Sequence, residues 1–401
     1  MIIISKYKEV HGGFQMVIIK TLFFLSVFLI FYAFIGYPFT LWIINKVKKP
    51  RFKVNMKYKP PVSIIIPAHN EENVIIRKLN NLCDLNYPEN KLEIIIASDN
   101  STDNTNTFVK RFIQNNDNLD IKLHLVHERK GKTNAQNEAV RIAKGDILIF
   151  SDSNAMLEKE SVSHLTSTFV SKDIMYVTGR LKYVNDVEYL SSNSEKSYWN
   201  YDLFMRKMES NIKTITAGNG ALYAIRKSDY VELDPIRSHD AGMPLQAAFK
   251  NKRALYNEKA IAFEKAGETT EDEFKRKVRM FRGILNSIFR NPKKYNIFKY
   301  GWFTYFYFGH RTLRYSLFIL HGICFGTNMA LITSSIFYSI LFSLQILFYC
   351  LALIGRFGSF DNKFFFYPYY YCMTLVAQLK GAINQITGKS KPFWEKAETT
   401  R

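Results

Sequence analysis

Between about residues 58 and 265, short apolar runs rich in β-branched side chains alternate with amphipathic stretches. The runs predict strands at 62–66, 92–97, 122–127 and 147–150, and the stretches between them predict helices at 74–83, 104–113 and 134–143. Strands that are apolar throughout and separated by helices belong to a mostly parallel sheet covered on both faces. A further strand is predicted at 254–263, followed at 271–290 by a helical repeat of Phe274, Val278, Phe281, Leu285 and Ile288 with Lys and Arg between them. That is the pattern of a basic amphipathic helix lying on a membrane face.

The flanks have a different pattern. Residues 21–44 contain no charge, and about 24 helical residues reach about 36 Å, enough to cross a hydrocarbon core of about 30 Å. Pro50-Arg51 follows instead of a small-residue cleavage site, which favours a retained span over a cleaved signal. Residues 315–355 are uncharged between Arg314 and Arg356, room for two spans at about 315–333 and 336–355 that turn near Thr333-Ser334-Ser335. A last apolar segment, 364–379 before Lys380, is short and stands open as a third span or an interfacial or re-entrant helix. Lys46, Lys48, Lys49, Arg51 and Lys53 outnumber Lys6, Lys8 and Lys20 across the first span. The middle domain is therefore expected in the cytoplasm and the chain as a multi-pass protein of the plasma or inner membrane. The expected division is a membrane segment at 1–53, a cytoplasmic domain at 54–292 and a second membrane region with a basic tail at 293–401.

Charge changes the choice of partner. The 55 Lys and Arg against 35 Asp and Glu leave a net charge of +20, which favours an anionic membrane face or a phosphorylated substrate. No zinc-finger spacing, RNP-like motif or helix-turn-helix signal accompanies it, so nucleic acid is not an expected partner and membrane lipid is. Cys83, Cys324, Cys350 and Cys372 form no CxxC pair, and three fall in apolar segments, as packing residues do. The spans hold no Asp, Glu, Lys or Arg apart from Lys20 at one end, which argues against a transporter.

Chemistry gathers at strand ends. Glu71, Asp99 and Asp152 each follow a predicted strand of the βαβ series, and ligands of open α/β sheets bind at the carboxyl ends of strands. Neither GxGxxG nor GxxxxGK[ST] occurs at a strand-to-helix turn, so phosphate must be held some other way.

Six segments occur in a telling order: Pro67-Ala-His-Asn-Glu71, Ser98-Asp99-Asn-Ser-Thr-Asp103, Arg129-Lys-Gly-Lys132, Ser151-Asp152-Ser-Asn154, Gly218-Asn-Gly-Ala-Leu-Tyr223 and His239-Asp240. Together they resemble the inverting family 2 glycosyltransferases, in particular the membrane-embedded cellulose, hyaluronan and poly-N-acetylglucosamine synthase group. The resemblance implies a GT-A-like, Rossmann-type α/β domain for a nucleotide-sugar, with flanking transmembrane helices. It implies a hexosyl- or N-acetylhexosaminyl-transferase that uses a UDP-sugar and a saccharide or lipid-linked acceptor in extracellular or capsular polysaccharide biosynthesis.

By the same resemblance, Glu71 and Asp99 would hold uracil and ribose, and Lys132 with Arg129 would lie over the nucleotide, unless 129–132 is only a solvated basic loop. Asp152 would bind Mg²⁺ or Mn²⁺. Asn154 stands where the family commonly has a second acid, and its amide oxygen is the expected ligand there. Asp240 would be the general base, or else a helix N-cap, in a place where the family has Glu-Asp or Asp-Asp. His239 beside it is expected as a surface or packing residue, because adjacent helical residues do not share a face. Gly218, Asn219 and Gly220 would border the acceptor. The family's Gln-x-x-Arg-Trp motif is here Arg276-Lys-Val-Arg279-Met280; Arg279 keeps the diphosphate role, Arg276 the nucleotide-sugar side, and Met280 loses the ring on which a polymer's end sugar would stack. These departures leave a second reading, a weakly active homologue acting as a membrane scaffold among partner proteins of a polysaccharide assembly.

Overall fold

The computed structural model describes residues 2–48, 52–184, 190–265, 269–357 and 362–393. Lys49 and Arg51, counted above for topology, and the basic tail beyond 393 lie outside the described residues. The chain divides into two compact units. One comprises Leu41–Glu273, Asn291–Tyr307 and Gly388–Arg401; the other comprises Met1–Thr40, Phe274–Arg290 and Phe308–Thr387.

The first unit is built on eight strands: β1 Val62–Ala68, β2 Leu92–Asp99, β3 Asp120–Val126, β4 Ile147–Ser151, β5 Met156–Leu157, β6 Ile174–Tyr183, β7 Leu222–Arg226 and β8 Arg253–Glu264. Their order in the sheet is β3-β2-β1-β4-β7-β6-β8-β5. β3, β2, β1 and β4 run parallel, joined through helices Ile75–Cys83, Thr105–Gln114 and Lys132–Ile142, within two residues of the expected limits. In the other half of this sheet, expected to be mostly parallel, β6 and β8 also run parallel, while β7 and β5 reverse. β7 is antiparallel to both β4 and β6, and β5 is antiparallel to β8. An apolar run records burial and not direction, so periodicity could not separate the two cases.

Alternation along the strands divides the core in two. Ile64, Ile66, Ile94, Ile96 and Ile149 face one layer with Leu79 and Leu82, while Ile65, Ile95, Leu148 and Phe150 face the other with Ala135 and Ala139. Each such side chain contributes roughly 1.5–3 kcal/mol by leaving water. Small alanines on helix Lys132–Ile142 let it approach the sheet closely, which positions its first turn at the strand ends.

Among the described residues two helices are long and apolar enough to cross a membrane, Gly13–Val47, of which residues 13–40 belong to the second unit, and Ile336–Phe357. Helix Leu317–Leu331 is shorter, and the last apolar segment lies in the 24-residue helix Lys363–Ile386. Phe28, Phe31, Ile336, Ile340, Leu344, Leu347 and Leu353 are exposed, a surface suited to lipid. The single helix expected at 271–290 is two, Thr270–Met280 and Ile284–Phe289, separated around Gly283. Its apolar stripe is also engaged by protein: Phe281, Ile284 and Ile288 pack with Ala377 and Ala382, where Gly381 admits the Phe281 backbone.

Gly145 marks where β4 begins. Its N–H donates to Ser63 Oγ at 2.8 Å, and a Cβ there would lie 2.4 Å from the Ser63 nitrogen. Gly145→Ala is therefore expected to lower the domain's stability by about 1–3 kcal/mol, the range of overpacking against rigid neighbours, read as a lower melting temperature of the detergent-solubilised protein.

Candidate active site

β2, β1 and β4 are neighbours, so the loops that follow them adjoin. Asn70 and Asn100 take positive φ of 54° and 53°, which asparagine tolerates better than most residues. Asn70 stitches two of these loops together: its N–H donates to Ser101 Oγ at 3.1 Å, and its Oδ1 accepts from the Thr102 N–H at 2.8 Å. Glu71 is buried beside them, its N–H donating to Thr105 Oγ1 at 2.8 Å.

Asp99 is buried and serves the loop itself. Its Oδ1 accepts from the Lys130 N–H at 3.0 Å and its Oδ2 from the Gly131 N–H at 2.8 Å. Gly131, at φ 92°, then starts helix Lys132–Ile142. Asp99 thereby holds the loop that carries Arg129 and Lys132, and one further lone pair on each oxygen is left for a ligand.

Lys132 Nζ donates to Asp152 Oδ1, and the two side chains are 24% and 28% exposed. Gly220 stands over the pair; a Cβ there would sit 3.0 Å from Lys132 Nζ and 3.6 Å from Asp152 Oδ2, so glycine keeps the approach open. Asn154 is buried and its Nδ2 donates to Glu264 Oε1 at 2.9 Å. Ser153 Oγ donates to the Pro67 carbonyl at 2.9 Å, tying this turn to β1.

The loop before β7 is shaped from inside. Asn219 Nδ2 donates to Thr178 Oγ1 and the Gly179 carbonyl, while Oδ1 accepts from the Ala221 and Leu222 N–H groups. These four bonds use the full capacity of the amide, so Asn219 sets the loop while Gly220 faces the Lys132–Asp152 pair. A Cβ on Gly218 would lie 1.9 Å from the Tyr176 hydroxyl, and its N–H donates to the Asp240 carbonyl at 2.8 Å.

Asp240 sits in the first turn of helix His239–Phe249, half-buried. The capping position is Ser238, which removes the N-cap reading of Asp240. The Tyr223 phenol is pushed well above its usual range by burial first, then by the charges of Tyr176, Asp240 and Asp152.

His239 is a packing residue, as expected, although not a surface one. Gln136 Nε2 donates to the Tyr223 hydroxyl at 3.0 Å, and that hydroxyl lies 3.2 Å from His239 Nδ1. His239 Nε2 is 3.2 Å from Asn137 Oδ1, which also accepts from the Tyr230 hydroxyl at 2.6 Å. Asn137 Oδ1 can only accept, so the network assigns the proton to Nε2 and leaves Nδ1 as an acceptor. Burial, aided by the Lys132 charge, pulls the imidazole down to about 3, so it stays neutral.

Arg276 and Arg279 lie on helix Thr270–Met280 and fall in the helical unit. Arg276 Nη1 donates to Met280 Sδ at 3.5 Å.

Two side chains at the site escaped sequence reading. Lys78 is fully buried, donating to Ser151 Oγ at 2.8 Å and to the Ala155 carbonyl. Its signal was available, since it shares the buried stripe of its helix with Ile75, Leu79 and Leu82. Glu264 had none, because it reaches Asn154 from 110 residues away.

Residues 63–232 match the family model described as glycosyl transferase family 2. This is a family 2 glycosyltransferase domain. The probable glycosyltransferase YdaM of Bacillus subtilis is 28% identical over 314 residues, 72% of this chain and 74% of that protein. The poly-beta-1,6-N-acetyl-D-glucosamine synthase of Staphylococcus aureus is 24% identical over 285 residues, 68% of each chain. The mannosyltransferase PcManGT from Pyrobaculum calidifontis, solved in complex with GDP-Man and Mn2+, superposes with a TM-score of 0.70 at 18% identity, over 92% of this chain and 99% of that one. At that identity the likeness speaks for the fold. The glycosyltransferase domain thus has the GT-A architecture, and its acids, lysine and glycines cluster at the strand ends where that architecture places a ligand.

Burial lowers the Lys78 amine to about 7 against the opposing pull of Asp152 and then Glu264. Between that value and its unfolded pKa of about 10.4, the unfolded chain holds a proton that the folded one lacks, so stability rises with pH across the window. Wild type should therefore gain stability relative to Lys78→Met on going from pH 7 to pH 9.5, on the order of a few kcal/mol, measured as the difference between the two melting temperatures at each pH.

Proposed function

We propose that the protein is an inverting glycosyltransferase that moves a sugar from a UDP-sugar onto a saccharide or lipid-linked acceptor at the membrane, in the formation of an extracellular polysaccharide. The carrying observation is that one loop, residues 218–220, binds the Asp240 carbonyl through its Gly218 N–H and brings Gly220 over the Lys132–Asp152 ion pair. Asp240 takes the proton of the acceptor hydroxyl as its oxygen attacks the anomeric carbon. The bond from that carbon to the diphosphate breaks on the opposite face, and the nucleoside diphosphate leaves with the bonding electrons.

The residues fit a divalent cation. Among the described residues no three His, Cys, Asp or Glu side chains gather, so a protein-only cage is lacking. Mg²⁺ and Mn²⁺ are commonly held by one or two carboxylates and completed by substrate phosphates, and Asp152 with the neighbouring Asn154 turn offers hard oxygen ligands of that kind. When bound, the cation would neutralise charge that develops on the departing diphosphate. Lys132 is a quarter exposed and on the first helical turn, so it can pass from Asp152 to the diphosphate when the donor binds. Glu71 and Asp99 border the nucleoside, and Gly220 lets the donor reach Asp152. The Mn2+ and GDP-Man in the mannosyltransferase of the same fold, and the polysaccharide synthase among the relatives, support this reading. So do the two helices long enough to cross a membrane, which would hold the domain beside a lipid-linked acceptor.

The test is nucleoside diphosphate release by the detergent-purified protein across UDP-glucose, UDP-N-acetylglucosamine and GDP-mannose, with Mn²⁺ or Mg²⁺ and membrane lipid as acceptor. Release is expected with a UDP-sugar. Asp240→Asn should lower the rate by about 10²–10⁴ with UDP binding retained, whereas Asp152→Ala should lose release and weaken cation-dependent binding. UDP binding without release from any donor would favour the scaffold reading.

A further inference from the structure

The motif Asp152-Ser153-Asn154 supplies one acid where a cation beside a diphosphate takes one or two carboxylates. The sheet supplies another from the far end of the domain. β5 begins two residues after Asn154 and runs antiparallel to β8, pairing Met156 with Phe263 and Leu157 with Ala262. One step further along that register sets Glu264, the last residue of β8, beside Ala155 and next to Asn154. The side chains complete the approach, with Asn154 Nδ2 donating to Glu264 Oε1 at 2.9 Å. The position of Glu264 is thus held by backbone pairing and by a buried amide.

We infer that Glu264 is the second carboxylate of the cation site, replacing across the sheet the acid that the strand-end motif lacks at Asn154. The inference rests on the cation-assisted reading of this site given above.

Two features favour a displaced acid over an ordinary structural contact. First, Asn154 is only 6% exposed, and an aspartate there would press a buried carboxylate against Glu264. Like charges that close cannot both stay ionised without strong compensation. An amide at 154 is what permits an anion at 264, so the pair reads as one negative charge moved from one strand end to another. Second, Lys78 Nζ lies beneath the same turn, bonded to Ser151 Oγ and the Ala155 carbonyl, and both Asp152 and Glu264 act on it. The two carboxylates therefore occupy one electrostatic neighbourhood.

The experiment is Mn²⁺ titration of the full-length, detergent-purified protein with UDP present, followed by the loss of the free-ion electron paramagnetic resonance signal. It compares wild type, Asp152→Asn, Glu264→Gln, and the charge-swapped double variant Asn154→Asp with Glu264→Gln. Melting temperatures without metal report whether each variant folds. Removing Glu264 should weaken Mn²⁺ binding by about 10–100-fold, the scale of losing a group that holds or orients a metal ligand, with little change in melting temperature. The charge swap should recover most of that loss. Binding by Glu264→Gln equal to wild type would overturn the inference and leave Glu264 as a partner of Asn154 alone. Weakened binding that the swap does not restore, together with a lowered melting temperature, would overturn it too, as the mark of a structural role. If wild type binds UDP but no Mn²⁺ at all, the cation-assisted reading itself fails, a result distinct from both because it appears before any substitution at 264.

Discussion

The site depends on how completely β4 is enclosed. All five of its residues are buried, and both of its edges are paired, to β1 in parallel and to β7 antiparallel. A carboxylate within such a strand would lose its hydration with nothing in return, so the first position able to hold one is Asp152, just past the end. β2 shows the same constraint from the other side, because Glu93, buried within it, is matched by Ser63, Lys122 and the Lys144 N–H. The antiparallel neighbour then adds what a parallel one could not. Because β7 runs the other way, Leu222 at its start pairs with Ser151 at the end of β4, and the loop that precedes it arrives beside Asp152. Gly220 and the backbone contact from Gly218 to Asp240 follow from that reversal.

Charge at the strand ends is managed by two lysines of different freedom. Lys78 is sealed beneath the turn by two hydrogen bonds and cannot follow a substrate. Lys132 is partly exposed and stands on a loop fixed by Asp99, so its stem is anchored while its ammonium can change partners. In the proposed reaction this arrangement would keep Asp152 neutralised until a diphosphate competes for the lysine. The preorganisation lies in the backbone: Asp99 spends both oxygens on it, and Asn219 spends its whole amide.

Much of this was legible from residues alone, and the limits have physical causes. Buried parallel strands and amphipathic helices leave a periodic record, so the first four strands and three helices fall within two residues of their expected limits. Glu71, Asp99, Lys132, Asp152 and Asp240 stood out because strand ends and ordered motifs mark them. Strand direction leaves no such record, and β7, which reverses, was not among the predicted strands. The break at Gly283 was hidden by an apolar spacing that continues across it, since the same stripe packs against helix Lys363–Ile386. Lys78 could have been found as the one charge on an apolar stripe. Glu264 could not, because its place beside Asn154 exists only after β8 pairs with β5.

The neighbours His239 and Asp240 divide two tasks that a pair of acids would share differently. Successive helical residues point about 100° apart, so one of them can face the core while the other faces the site. His239 is locked by a directed chain in which Tyr223 donates to Nδ1 and Nε2 donates to Asn137, and its ring is packed edge-on against those of Phe150 and Tyr223. A second carboxylate in that position would be an uncompensated buried charge, whereas a neutral imidazole satisfies both of its nitrogens there. The helix start is thereby pinned through a group that does not titrate near neutral pH. Asp240, one residue on, inherits that fixed backbone, so the proton transfer proposed for its carboxylate would leave its anchor undisturbed.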